Sequence, residues 1–208
     1  MEFEDEKEIS RQELLQRVAL MEAMIAEGRR STCRHGWIFV LWGLVNLAGM
    51  VLEWNHPRHM WNWPVVIGVG LIIQFAVFWL RRRGGPGRTS NLRSRAIGAV
   101  WGMMGLVLIL YCFTAIFAHK AFGSAYFAAI FFIIGLAHAT SAILLRWRAQ
   151  GAVAALWWAG GIASFFVNDP WFAGIFFIEM LFGMVLFGIY MMALERRNTP
   201  PSEAAAHA

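Results

Sequence analysis

Glu179 is the one acid that falls deep inside an apolar run, about eight residues from the outer end of the stretch 171–193. An ionisable group in hydrocarbon is expensive, so it ordinarily faces the bundle and has a partner or a role. Asn46 lies at about the same depth in the first run, with Tyr111 and Thr114 of the third not far away. That grouping predicts either a hydrogen-bonded carboxyl tying helices together, a proton or cation site in a transport path, or a contact at a lipid or oligomer edge.

The outer loops carry Glu53, His56, His59, His119 and Asp169. Imidazole and carboxylate suit zinc. Pro57 follows His56 directly, however, so HPRH is a turn and not one face of a helix. These histidines are expected in solvent or at the lipid interface, with pH sensing and metal binding as weaker uses. His138 sits in the fourth apolar run and His35 at the inner edge of the first, depths poorly matched for a haem. His138 is expected to be structural, hydrogen-bonded to Gln74 or a backbone carbonyl. The loop RRRGGPGRTSNLRSR (81–95) lacks the spacing of a phosphate-binding loop. Its Arg81, Arg82 and Arg83 are expected on anionic lipid headgroups. No serine elbow, HExxH, dinucleotide fingerprint or close pair of catalytic carboxylates occurs. The expectation is a non-enzyme with no cofactor.

Elements that hold such residues must lie in a bilayer. Apolar residues make up 59% of the 208, charged ones 15%, which excludes an ordinary soluble domain. Apolar runs at about 36–54, 62–80, 96–117, 124–145, 152–167 and 171–193 approach or reach the ~20 residues that cross a bilayer. Each is expected to be a helix, since these runs lack the alternation of a barrel strand. Asp169 can cap the last, with Pro170 at its first position.

If the six runs alternate, thirteen arginines, from Arg29 to Arg197, lie near inner ends and only Arg58 and Lys120 outside. That bias places both termini in the cytoplasm and assigns the basic charge to topology, with no nucleic acid implied. Trp54, Trp61, Trp63 and Trp171 form the expected outer belt, Trp37, Trp79 and Trp147 the inner one. Cys33 and Cys112, separated by much of the bilayer, are expected to be reduced.

Residues 1–9 carry five acids and are expected to be disordered. Ser10 with Glu13 reads as a capping box opening a helix that ends near Gly28. Leu14, Val18, Met21 and Ile25 follow at spacings of four, three and four, one continuous seam. The seam is expected to pack on the inner face of the protein or in the headgroup plane, or else to dock a second copy or a cytoplasmic partner.

Trp42-Gly43, Trp101-Gly102 and Trp157-Trp158 each sit a few residues into an outward helix, and the return helices end at Arg81, Arg146 and Arg196. Three copies of one helical hairpin follow, 36–80, 96–145 and 152–193. Small-residue stripes, Gly151/Ala155/Ala159/Ala163 and Gly98/Gly102, are expected to face the interior. The chain thus divides into a start and amphipathic helix (1–35), a transmembrane bundle (36–195) and a disordered tail (196–208).

The segments LWWAGGIASFFVNDPWFAGIFFIEMLFGMVLFGIY (156–190) and IIGLAHATSAILLRWRAQG (133–151) resemble the hairpin repeats of HdeD-like bacterial membrane proteins and of six-helix relatives with a cytoplasmic N-terminal helix. The resemblance covers most of 36–195. It implies three repeats in six helices of the inner membrane, an association with acid resistance, and no catalytic residues. The chain departs from it in the N-terminal helix, the Arg-rich loop and the histidine-bearing outer loop.

The expected protein is therefore all-α, six spans in three hairpins preceded by a cytoplasmic amphipathic helix. Its expected function is that of a non-enzymatic scaffold or stress sensor acting through that helix. The alternative is a small transporter or channel using Glu179 with Asn46, and a third option is an intramembrane enzyme or metal protein.

Overall fold

The computed structural model describes residues 2–57, 61–83, 92–120 and 123–198. Among them every regular element is helical: α1 (Glu2–Cys33), α2 (Gly36–Asn55), α3 (Asn62–Arg83), α4 (Leu92–Phe117), α5 (Ser124–Leu145), α6 (Arg148–Ala163), α7 (Asp169–Ile178), a π-helical stretch (Glu179–Leu186) and α8 (Phe187–Asn198). The last three follow without a break. Five stretches are long and apolar enough to cross a membrane: Gln12–Asn55, Asn62–Leu80, Arg95–Phe117, Ser124–Leu145 and Trp171–Arg197. This is a helical protein of multi-pass membrane character.

The remaining predicted span differs from expectation. It begins four residues earlier, at Arg148, and stops at Ala163 after 16 residues, about 24 Å of helix. Tight turns then carry the chain through Phe165 and Phe166, whose N–H groups reach back three residues to Ile162 and Ala163. Asn168, not Asp169, occupies the cap position of α7, and its carbonyl receives the Phe172 N–H at 2.9 Å.

α1 also departs from its reading. It runs back to Glu2, so Ser10 does not open it, and on past Gly28 to Cys33. Negative side chains favour the positive end of a helix dipole, which suits the acidic start to helix. Gly28 is buried and its carbonyl accepts the Thr32 hydroxyl at 2.9 Å, so the glycine packs instead of capping.

Two clusters form the core. At the end nearest α1, Cys33, Phe39, Ile97, Leu145, Trp147, Phe187 and Met191 join α1, α2, α4, α5 and α8. The other joins Phe131, Ile134, Trp157, Phe176 and Met180 of α5, α6, α7 and the π stretch. The belts are correspondingly thinner than expected. Trp147 is buried against Phe187 and Tyr190, and Trp63 packs on Phe127 and Phe176; Trp54, Trp61, Trp79 and Trp171 stay exposed. Both cysteines are free.

The tightest helix pair is α5 with α6, which joins the second and third expected hairpins. Gly135 lies against Trp158, Gly161 against Phe132 and Gly151 against Ala142. The three repeat tryptophans have different surroundings: Trp42 donates to Gln74 Oε1 at 2.6 Å, Trp101 stands edge-on to Phe39, and Trp157 is wholly buried.

The small-residue stripes do not line the interior. Ala155, Ala159, Gly98 and Gly102 are exposed, and the buried face of α6 is Gln150, Ala154, Trp157, Gly160 and Gly161. That face fits its neighbours because the facing segments supply a carboxylate opposite Gly160, the Phe132 ring opposite Gly161 and a glycine opposite the Trp157 indole.

Arg29 fastens α1 to the bundle. Its Nε donates to Leu145 O at 2.8 Å and its Nη2 to Arg146 O at 2.5 Å, closing carbonyls at the end of α5 where Arg146 turns left-handed. Those carbonyls have no helical partner, and a cation there also meets the negative end of the dipole. Arg29→Ala is expected to lower stability by about 1–2 kcal/mol, a charge-assisted pair of bonds discounted for partial exposure. Arg29→Lys should recover only part, since one ammonium cannot reproduce the fork. Thermal unfolding in detergent micelles measures both; an Arg29→Ala protein as stable as wild type would refute the anchor.

Candidate functional site

Glu179 opens the π-helical stretch, a conformation that frequently marks functional positions. Its side chain is 1% exposed. Oε1 lies against Gly160 of α6, where a Cβ would collide with it, while Oε2 has no hydrogen-bond partner among the described residues. One turn further along the same interface the Trp157 indole lies against Gly183, its Nε1 likewise without a partner. Two missing side chains thus make room for two large ones. Trp157 and Gly160 are three apart on α6, Glu179 and Gly183 four apart opposite, so donor and acceptor flank one helical turn.

The expected partners are elsewhere. Asn46 is only partly buried and donates to Trp42 O at 2.8 Å within its own helix. Tyr111 donates to Tyr126 O at 3.2 Å and stacks on that ring, and Thr114 is exposed. No hydrogen bond joins Asn46, Tyr111 or Thr114 to Glu179 among the described residues. Asn46 turns inward on its own backbone because the groove between α2 and the π stretch is closed by Gly43 against Val185 and Met184.

A second polar group lies beside the Phe39–Phe187 core cluster. His138 is fully buried and boxed by Trp101, Phe187 and Phe39 with ring centroids 4.9, 5.4 and 5.6 Å away. Among the described residues neither ring nitrogen has a hydrogen-bond partner, nor do Ser141 Oγ, the Gln150 amide and Trp101 Nε1. His138 therefore does not bond Gln74, whose carbonyl oxygen is held by Trp42. A native interior leaves few polar atoms without partners, so this set of buried polar groups on α4, α5 and α6 is a feature of the bundle. In the sequence Ser141 and Gln150 are inconspicuous; the three-residue spacing of Ser141 from His138 on α5 was the one available signal, and Gln150, on α6, had none.

At the turn between α2 and α3, Asn62 Nδ2 donates to Glu53 Oε2 at 3.0 Å and to His56 O at 2.8 Å, which ties α3 to the end of α2. His119 adopts a left-handed backbone after α4. No three metal-ligating residues gather among the described residues. His59 lies outside the described residues, as do the side chains of Arg81, Arg82 and Arg83, the loop 84–91 and the tail from 199.

The seam on α1 is free of the bundle. Leu14 is 60%, Val18 46% and Met21 51% exposed, and Ile25 is half-buried toward the anchored end. It does not pack on the inner face of the protein, because α1 meets the bundle only through its last turns, where Gly28, Thr32 and Cys33 are buried.

Family models, curated proteins and solved structures offer no match to this chain.

Proposed function

We propose that this chain is a non-enzymatic, HdeD-like protein of the bacterial inner membrane, with six spans in three hairpins and both termini cytoplasmic, that acts as a scaffold or stress sensor through α1. The observation that carries this is the seam Leu14, Val18, Met21 and Ile25, exposed at its first three positions, on a helix whose root is fixed by Arg29. A long apolar edge held away from its own bundle costs free energy unless another surface covers it. The inner-end arginines support the orientation.

Replacing Leu14 and Met21 by glutamate should dissolve a complex seen on native gels of gently solubilised membranes. The bundle should unfold at its usual temperature, since neither side chain touches it. An unchanged complex would remove the reading.

Transport through Glu179 with Asn46 is the second reading, favoured by the unpartnered Oε2 and opposed by the sealing of the carboxyl between α6 and the π stretch. Vesicles containing the protein should show the same proton and cation flux as empty vesicles. A flux that Glu179→Gln abolishes would reverse the order of the two readings.

A further inference from the structure

The seam repeats every seven residues. With Leu14 and Met21 as the d positions and Val18 and Ile25 as the a positions of a heptad, Arg17 takes a g position and Glu22 the following e position. In a parallel two-stranded coil, g of one helix meets the next e of its partner. Arg17 would face Glu22 of the second helix, and by symmetry Glu22 would face its Arg17. Both side chains are exposed, and neither is in an ion pair within the chain among the described residues. Leu15 and Met24 occupy the other flanking e and g positions and widen the apolar strip.

We propose that the occupant of the seam is α1 of a second copy, paired in parallel, which rests on the reading of α1 given above. Two copies inserted with the same orientation have their α1 roots at the same membrane face. Arg29 and the buried Thr32 and Cys33 fix how each helix leaves its bundle. Parallel alignment is therefore imposed before the helices meet. Two heptads are too short to pair freely in water, but confinement to one membrane raises the effective concentration. A lipid surface is a poorer occupant, because the chain opens with Glu2, Glu4, Asp5, Glu6 and Glu8, which anionic headgroups repel.

The test is disulfide trapping in native membranes, with wild type as the blank, since Cys33 is buried and Cys112 lies within a span. Met21→Cys at a seam position should yield a covalent dimer under mild oxidation, and Ala23→Cys on the opposite face should yield at least tenfold less. Glu22→Arg, which sets arginine against arginine, should lower the Met21→Cys yield several-fold. Adding Arg17→Glu to it should restore the yield.

Equal trapping at Met21 and Ala23, or none at either, overturns self-pairing. If trapping fails while the glutamate variants still dissolve a larger native complex, another protein covers the seam and the scaffold reading survives without this inference. If instead a fluorophore on Met21→Cys of the full-length protein in vesicles of anionic lipid reports burial at the lipid surface and no dimer is trapped, the surface is a membrane contact and both fall.

Discussion

Gly188→Val is expected to prevent assembly of the bundle or to destabilise it by about 3 kcal/mol. A Cβ at Gly188 would lie 2.6 Å from Gly36 O and 2.9 Å from Val40 N, and one at Gly36 would lie 2.7 Å from Gly188 O. These contacts are backbone on backbone, so no side chain can rotate aside, and only separation of α2 from α8 relieves them. Separation would also open the layer of Phe39, Phe187 and Met191. Even Gly188→Ala should cost on the order of 1–3 kcal/mol. Gly102→Ala is the control: its added methyl meets nothing, and the gain in helix propensity should leave the protein as stable or up to about 1 kcal/mol more stable. Chemical or thermal unfolding in micelles decides the matter. A Gly188→Ala protein indistinguishable from Gly102→Ala would show that α2 and α8 do not cross at this point.

The second large effect concerns Gly160 and Glu179 as a pair. Gly160→Ala should destabilise by roughly 1–3 kcal/mol, since the new methyl takes the place of the carboxyl. Adding Glu179→Gln should bring no relief, because the amide is as large as the acid. Adding Glu179→Ala should relieve most of the clash, so the double variant is more stable than the two single costs added together, by about 1–2 kcal/mol. Additive costs would mean that the two side chains do not share this space. The cycle also separates function from packing: a transport role predicts that Glu179→Gln removes flux while stability is kept, whereas a packing role moves stability alone.

Helix positions were legible because length and hydropathy report directly on a bilayer. The predicted runs 36–54, 62–80 and 124–145 coincide with α2, α3 and α5 to within a few residues. Helix faces were not. In water the apolar stripe of a helix marks its buried side, but in lipid both sides are apolar and the stripe carries little information. That is why Gly151, Ala155, Ala159 and Ala163 attracted attention while the buried face ran through Gln150, Ala154 and Trp157.

Glu179 was conspicuous as the lone acid of its run. Its counterpart Gly160 was not, since a glycine that serves by leaving room has no chemical signature. Arg29 was counted with twelve other arginines as an orientation signal, and only the fold distinguishes it as the one that closes the end of α5. The seam on α1 was visible from its spacing, yet the same spacing suits a helix lying on its own protein. Exposure of Leu14, Val18 and Met21 separates the two.

The π-helical stretch has a consequence for the reading frame of the last span. Wider turns over Glu179–Leu186 mean that this span carries a surplus residue relative to an α-helix covering the same rise. Each residue of an α-helix advances by about 100°. A single-codon deletion between Met180 and Leu186 would remove that surplus and let the stretch regularise with Gly188 still on Gly36 and Met191 still in the core, whereas the same deletion in the regular turns of α7 would swing the residues after it by about that angle. The span is therefore least sensitive to a lost residue where it is widest: the π stretch can absorb a one-residue deletion that the regular turns before it cannot.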